Sequence, residues 1–171
     1  MKKVVVLGPE STGKTVLCRM LSEYFDVPWV PEYARDYVAK LNAPYAYEDV
    51  EAIAKQQIVE QEETAEHYPL ADYVFFDTDL IITKIWFLHV FDRCPDWVQT
   101  ALEKSEVNLY LLCKPDIPWE YDPVRENPEI REFLYDLYKR EIEKLGRPLV
   151  EIAGLGEKRL LHAVAAVKSL E

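Results

Sequence analysis

Gly8-Pro9-Glu10-Ser11-Thr12-Gly13-Lys14-Thr15 is a complete phosphate-binding loop of the form G-x-x-x-x-G-K-[ST]. Gly8 and Gly13 permit a tight turn in backbone conformations that a side chain forbids. Successive N–H groups through Glu10, Ser11 and Thr12 then point inward as a nest for phosphate oxygens. The helix that follows presents its positive end to the same phosphates. Lys14 is placed to reach the β- and γ-phosphates, and the Thr15 hydroxyl to ligate Mg²⁺. The ligands implied are ATP and Mg²⁺.

The flanks supply the context this motif needs. Lys3 to Leu7 is a β-branched, apolar run that reads as a buried strand. Val16, Leu17, Met20, Leu21 and Tyr24 recur at helical spacing and predict one apolar helix face. Further strands are expected at Val27–Val30, Tyr73–Asp77, Leu109–Cys113 and Pro148–Ile152. Helices are expected between them: one through Tyr37, Val38 and Leu41, then Asp49 to His67, Leu80 to Phe91, and Asp96 to Lys104. Two more follow, one from Asn127-Pro128 to Gly146 and one carrying Leu160, Leu161, Val164 and Val167. The Leu80–Phe91 helix is apolar nearly all round and reads as buried. Five short strands alternating with helices give an α/β fold, a three-layer parallel sheet with helices on both faces. Such sheets bind ligands at the carboxyl ends of their strands.

The chain has 171 residues, 49% hydrophobic and 30% charged, and reads as one globular domain over 1–171 with a lid segment at about 116–131. Its formal net charge of −11 argues against nucleic acid or an anionic membrane as partner. Three widely spaced cysteines and three scattered histidines fit free thiols in a reducing cytoplasm better than a disulfide frame or a zinc site. The apolar run after Met1 is too short for a signal peptide, and none is long enough to cross a bilayer.

Polar groups gather at the expected strand ends. Asp77 follows four apolar residues, as a Walker B aspartate does, and is the expected metal partner of Thr15; Asp79 is its substitute, and either could instead cap the next helix. Glu32 could accept a proton from a substrate hydroxyl, or form a surface pair with Arg35 at i,i+3. Arg125 and Arg131 flank the lid segment and are candidates for stabilising a transferring phosphoryl group, Arg125 the more so; each could equally pair with neighbouring glutamates. Of Trp29, Trp86, Trp119 and Tyr121, at most one is expected to serve as a ring-stacking platform.

GPESTGKT, PEYARDY, FFDTD and CKPDIPWEYDPVRE, in this order, resemble the ribosylnicotinamide kinase domain of NadR-type proteins from about Lys3 to Ile152. The resemblance implies a P-loop kinase fold and transfer of the ATP γ-phosphoryl to the 5′-hydroxyl of a riboside, nicotinamide riboside above all. It implies Gly8 to Thr15 for ATP, and Glu32, Tyr33, Arg35 and Trp119 at the acceptor. Asp77 and Asp79 would serve metal and ribose, Arg125 the lid, and Gly154 and Arg159 the surroundings of adenine. Pro31 stands where some relatives carry Trp, and no adenylyltransferase motif precedes the first strand, so NAD synthesis is not expected from this chain alone. A competing reading is a regulatory nucleotide switch; Cys113-Lys114-Pro115-Asp116 imitates the guanine-reading N-K-x-D motif without its Asn.

Overall fold

The computed structural model describes residues 1–121 and 128–170. Five strands are formed among them: β1 (Lys2–Leu7), β2 (Trp29–Val30), β3 (Tyr73–Asp77), β4 (Val107–Cys113) and β5 (Leu149–Ile152). The helices are α1 (Lys14–Phe25), α2 (Tyr33–Lys40), α3 (Tyr47–His67), α4 (Leu80–Phe91), α5 (Asp96–Lys104), α6 (Arg131–Lys144) and α7 (Gly156–Lys168). The strands make one parallel sheet in the order β2-β3-β1-β4-β5. The expected three-layer α/β arrangement is therefore the one found.

Alternation along the strands divides the core. Val4 and Val6 of β1 face α1 and α7, packed with Leu17, Leu21, Phe75, Leu111 and Val164. Val5 and Leu7 face the opposite layer, with Val50, Phe76, Ile81, Leu112 and Leu134. Each central strand thus buries both faces, which is why it reads as an uninterrupted apolar run. Because every strand points the same way, five loops collect at one end of the sheet.

Helix phases differ from expectation by about one residue. In α1 the buried residues are Leu17, Cys18 and Leu21, whereas Val16 and Tyr24 are half exposed. The phosphate loop fixes where α1 starts, and its docking turns Cys18 inward and Val16 toward the open end. In α6 the buried set is Leu134, Tyr135, Tyr138 and Ile142, with Phe133 outside. Leu161 of α7 is likewise exposed, while Arg159 is buried. Nor is α4 covered along its length. Leu80, Ile81, Thr83, Ile85 and Phe87 are buried, but Leu88 and Val90 emerge at the open end. Asn127, the expected start of the helix ending at Gly146, lies outside the described residues.

Candidate active site

The phosphate loop sits against the end of β4. A Cβ on Gly8 (φ +152°) would lie 2.7 Å from the Cys113 carbonyl oxygen, so only glycine fits. Ser11 (φ +56°) and Gly13 (φ +74°) turn the rest of the loop. Thr12 is buried and donates to the Pro9 carbonyl at 2.8 Å, bracing the loop from within. Lys14 Nζ reaches the same carbonyl at 3.0 Å. The outside of the loop is tied to the segment after β4. The Glu120 N–H donates to Ser11 Oγ at 3.0 Å, and Arg131 donates to the carbonyls of Ser11, Ile117 and Pro115 at 3.3, 2.9 and 3.4 Å. Arg131 is thus a strap between α6 and the loop. Arg125 lies outside the described residues.

Asp77 ends β3 and is fully buried beside the loop. Thr15 Oγ1 donates to Asp77 Oδ2 at 2.6 Å, and Asp77 Oδ1 has no hydrogen-bond partner among the described residues. A buried carboxylate oxygen without a partner calls for an explanation, and a hydroxyl beside it completes a hard oxygen pair. This donor set fits Mg²⁺. Burial pushes the Asp77 carboxyl up, against the pull of Lys14 and the Thr15 hydrogen bond.

Asp79 is differently occupied. Thr78 adopts φ +74°, and beyond this turn Asp79 caps α4. Its Oδ1 accepts from the Ile81 N–H at 2.9 Å and its Oδ2 from the Tyr110 hydroxyl at 2.7 Å. Burial raises its carboxyl to about 6 even so. Asp79 borders the cleft, and each of its oxygens accepts a hydrogen bond from the fold.

A cleft of about 410 Å³ opens between the phosphate loop, α2, α4 and α6. Lys14, Thr15, Glu10, Glu32 and Arg35 border it, and Val38, Ile53, Ile82 and Ile85 make its apolar wall. Glu32 is half-buried; burial pushes its carboxyl up, Lys14 pulls it down, Asp77 pushes it up and Arg35 pulls it down. It borders the same cleft as Lys14 and is more than a surface partner of Arg35.

Two expected acceptor contacts fall elsewhere. Tyr33 packs on Tyr37 with ring centroids 5.9 Å apart and does not line the cleft. Trp119 lies with Tyr121 on the segment that covers the outside of the phosphate loop, away from the cleft. The aromatic residues that do line it are Tyr45, Trp86 and Tyr138. Tyr45 and Trp86 meet edge to face, centroids 4.8 Å apart. Of the four aromatic candidates read from the sequence, Trp86 is the one that lines the cleft. Tyr45, in a loop without a motif, was missed, as was Gln57, buried at the cleft wall, which looks like any polar residue of a long helix.

On the far side of the loop, Arg159 is 4% exposed. Its Nη2 donates to the Lys114 and Ile152 carbonyls and to Asp116 Oδ1, at 3.0, 3.2 and 3.2 Å. The Gly154 N–H donates to Asp116 Oδ2 at 2.6 Å. Arg159 and Asp116 thus join the loops after β4 and β5, and the Asp116 carboxylate is engaged with the protein, which disfavours guanine reading. Among the described residues no cluster of three or more His, Cys, Asp or Glu could hold a metal ion, and Cys18, Cys94 and Cys113 are free thiols. No helix among these residues is long and apolar enough to cross a membrane.

A family model described as an AAA domain matches residues 3–159. The chain belongs to this AAA domain family. The trifunctional NAD biosynthesis/regulator protein NadR of Salmonella typhimurium strain LT2 is 28% identical over 131 residues, and that of Escherichia coli K12 is 26% identical over 133. Each alignment covers 73% of this chain and 31% of the relative, so the AAA domain spans about a third of the length of the curated relatives it matches. Among solved structures, a NadR protein in complex with NR has a TM-score of 0.86 at 24% identity, covering 98% of this chain and 49% of that one. A NadR protein in complex with NAD and AMP-PNP gives 0.83 at 23% identity, with the same coverage. Thymidylate kinase from Ehrlichia chaffeensis gives 0.69 at 12% identity, covering 99% of this chain and 98% of that one. These likenesses show the fold, and the resemblance to NadR-type proteins carried by the motifs holds in both sequence and structure.

Proposed function

We propose that this chain is an ATP- and Mg²⁺-dependent phosphotransferase acting on the 5′-hydroxyl of a riboside, with nicotinamide riboside as its acceptor in NAD salvage. One observation carries the reading: Lys14, Glu32 and Asp77 converge at the phosphate loop, Lys14 and Glu32 on a cleft large enough for a second substrate. A switch that only binds nucleotide has no need of a second, apolar and aromatic-lined cleft beside its phosphate loop. The NadR relatives, solved with NR and with AMP-PNP, support the choice of acceptor and donor.

In this reading the loop from Gly8 to Thr15 cradles the phosphates with backbone N–H groups, and Lys14 leaves the Pro9 carbonyl to contact them. Thr15 and Asp77 hold Mg²⁺, which when bound neutralises charge developing on the phosphates. Glu32 accepts the proton of the riboside hydroxyl; its raised affinity for protons suits a base. Arg35 orients the acceptor beside it. Trp86 and Tyr45, which line the cleft, receive the ring of the base. Arg159 supports the adenine side, and Arg125 is assigned to stabilising the transferring phosphoryl group. A cytoplasmic setting suits its free thiols.

The test is a mass-spectrometric screen of ribosides incubated with ATP and Mg²⁺. The expected result is nicotinamide mononucleotide formed with stoichiometric ADP. ATP binding without any phosphorylated riboside would sink the kinase reading and favour a nucleotide switch.

A further inference from the structure

Two amides on one face of α3 hold the strand ends that carry the two carboxylates. Gln57 is 5% exposed. Its Oε1 accepts from the Tyr33 N–H at 2.8 Å, and its Nε2 donates to the Pro31 carbonyl at 3.4 Å. Glu32 is the residue between them. One turn further along α3, Gln61 Nε2 donates to the Thr78 carbonyl at 3.1 Å. Thr78 follows Asp77 in a left-handed conformation, φ +74°, that a β-branched residue rarely adopts. Its N–H donates to the Val6 carbonyl at 3.1 Å. Spacing of four residues puts both amides on one side of the helix.

The chemistry of the partners leaves few residue types for position 57. A peptide N–H only donates and a carbonyl only accepts, so the side chain between them must do both. An amide does; a carboxylate or an alkyl chain does not. The corner also needs holding, because β2 has two residues and α2 has no buried residue of its own.

We propose that α3 is a positioning bracket for the active site, in which Gln57 sets Glu32 and Gln61 sets Asp77. Acceptor activation and metal binding are then adjusted by separate residues of one helix. Neither amide touches the reacting atoms. The proposal rests on the phosphotransfer reading for what the two carboxylates do, and on the hydrogen bonds alone for how they are held.

The experiment compares the full chain with Gln57→Leu and Gln61→Leu in three readouts. These are kcat and KM for nicotinamide riboside, the Mg²⁺ concentration for half-maximal AMP-PNP binding, and hydrogen exchange at the Tyr33 amide. For Gln57→Leu, kcat should fall ~10²-fold with KM nearly constant, as expected for a displaced catalytic group. Tyr33 exchange should quicken ~10-fold or more as its local partner is lost, with the Mg²⁺ requirement unchanged. For Gln61→Leu, the Mg²⁺ requirement should rise ~10-fold, as when a group supporting a metal ligand is removed. Its Tyr33 exchange should match wild type. If Gln57→Leu does not fold, Gln57→Glu, which keeps an acceptor for Tyr33, takes its place; it should retain Tyr33 protection and still lose kcat. Wild-type values in a variant's own readout, or equal losses by both variants in all three, overturn the bracket. If the wild-type chain phosphorylates no riboside, the kinase reading falls, and the bracket is decided by Mg²⁺ dependence and amide exchange.

Discussion

Gly8→Ala tests whether the phosphate loop is shaped by contact with β4 as well as by its own sequence. The new Cβ would sit 2.7 Å from the Cys113 carbonyl oxygen, 3.0 Å from Thr12 Oγ1 and 3.1 Å from Cys113 Cβ. The first of these is backbone within the sheet and cannot rotate away, so the loop itself must move. Overpacking of this kind costs ~1–3 kcal/mol. The φ of +152° lies where essentially only glycine is found, which adds ~1–3 kcal/mol. Together the loss is roughly 2–6 kcal/mol, or about 4–24 °C in melting temperature for a chain of this size. AMP-PNP affinity should fall as well, because the displaced N–H groups no longer converge. Gly13→Ala is the internal comparison: its Cβ meets only Ile117 Cδ1, a flexible side-chain end, at 3.3 Å. It keeps the φ cost and loses most of the clash. Thermal melts and isothermal titration of the two variants decide the matter. If Gly8→Ala melts within about 1 °C of wild type and binds AMP-PNP equally well, the close approach to Cys113 is not what shapes the loop.

Further outcomes follow from the groups around the phosphate loop. Lys14→Ala should reduce phosphoryl transfer by ~10²-fold or more while leaving the melting temperature near wild type, since an electrostatic donor to the transferring group is lost; near-normal turnover would refute its role. Asp77→Asn should raise the Mg²⁺ needed for AMP-PNP binding because an amide is a poorer ligand for a hard cation. Asp79→Asn should leave that requirement unchanged and keep the α4 cap; the reverse pattern in Mg²⁺ titrations would exchange their roles. Glu32→Gln should lower kcat ~10²–10⁴-fold with little change in AMP-PNP affinity. Burial raises the folded pKa of Glu32, so its base form is lost as pH falls through a value above the ordinary glutamate range. The acidic limb of the kcat profile should lie there at saturating Mg²⁺, and a limb that persists in Glu32→Gln would belong to another group.

The sequence by itself determined the features whose causes are contiguous. Gly8 to Thr15 dictates its own loop, because the turn, the nest and the helix start are all set within eight neighbouring residues. Strand β3 and helix α4 lie where their apolar runs place them, at Tyr73–Asp77 and Leu80–Phe91. Strands buried on both faces have no polar alternation to obscure them, so the parallel sheet was legible too. Only the tertiary structure decided the rest. Which of Asp77 and Asp79 keeps an oxygen without a hydrogen-bond partner among the described residues depended on Tyr110, 31 residues from Asp79, donating to the second and not the first. That Trp86 lines the cleft and Trp119 does not depended on how α4 and the segment after β4 pack around the phosphate loop. Arg131, Arg159, Gln57 and Gln61 take their roles from carbonyls and amides of other elements, and backbone groups carry no side-chain signature in a sequence. The one-residue shifts in α1 and α6 have the same origin: periodicity fixes that a helix has an apolar face, but its rotation is set by the surfaces it docks on.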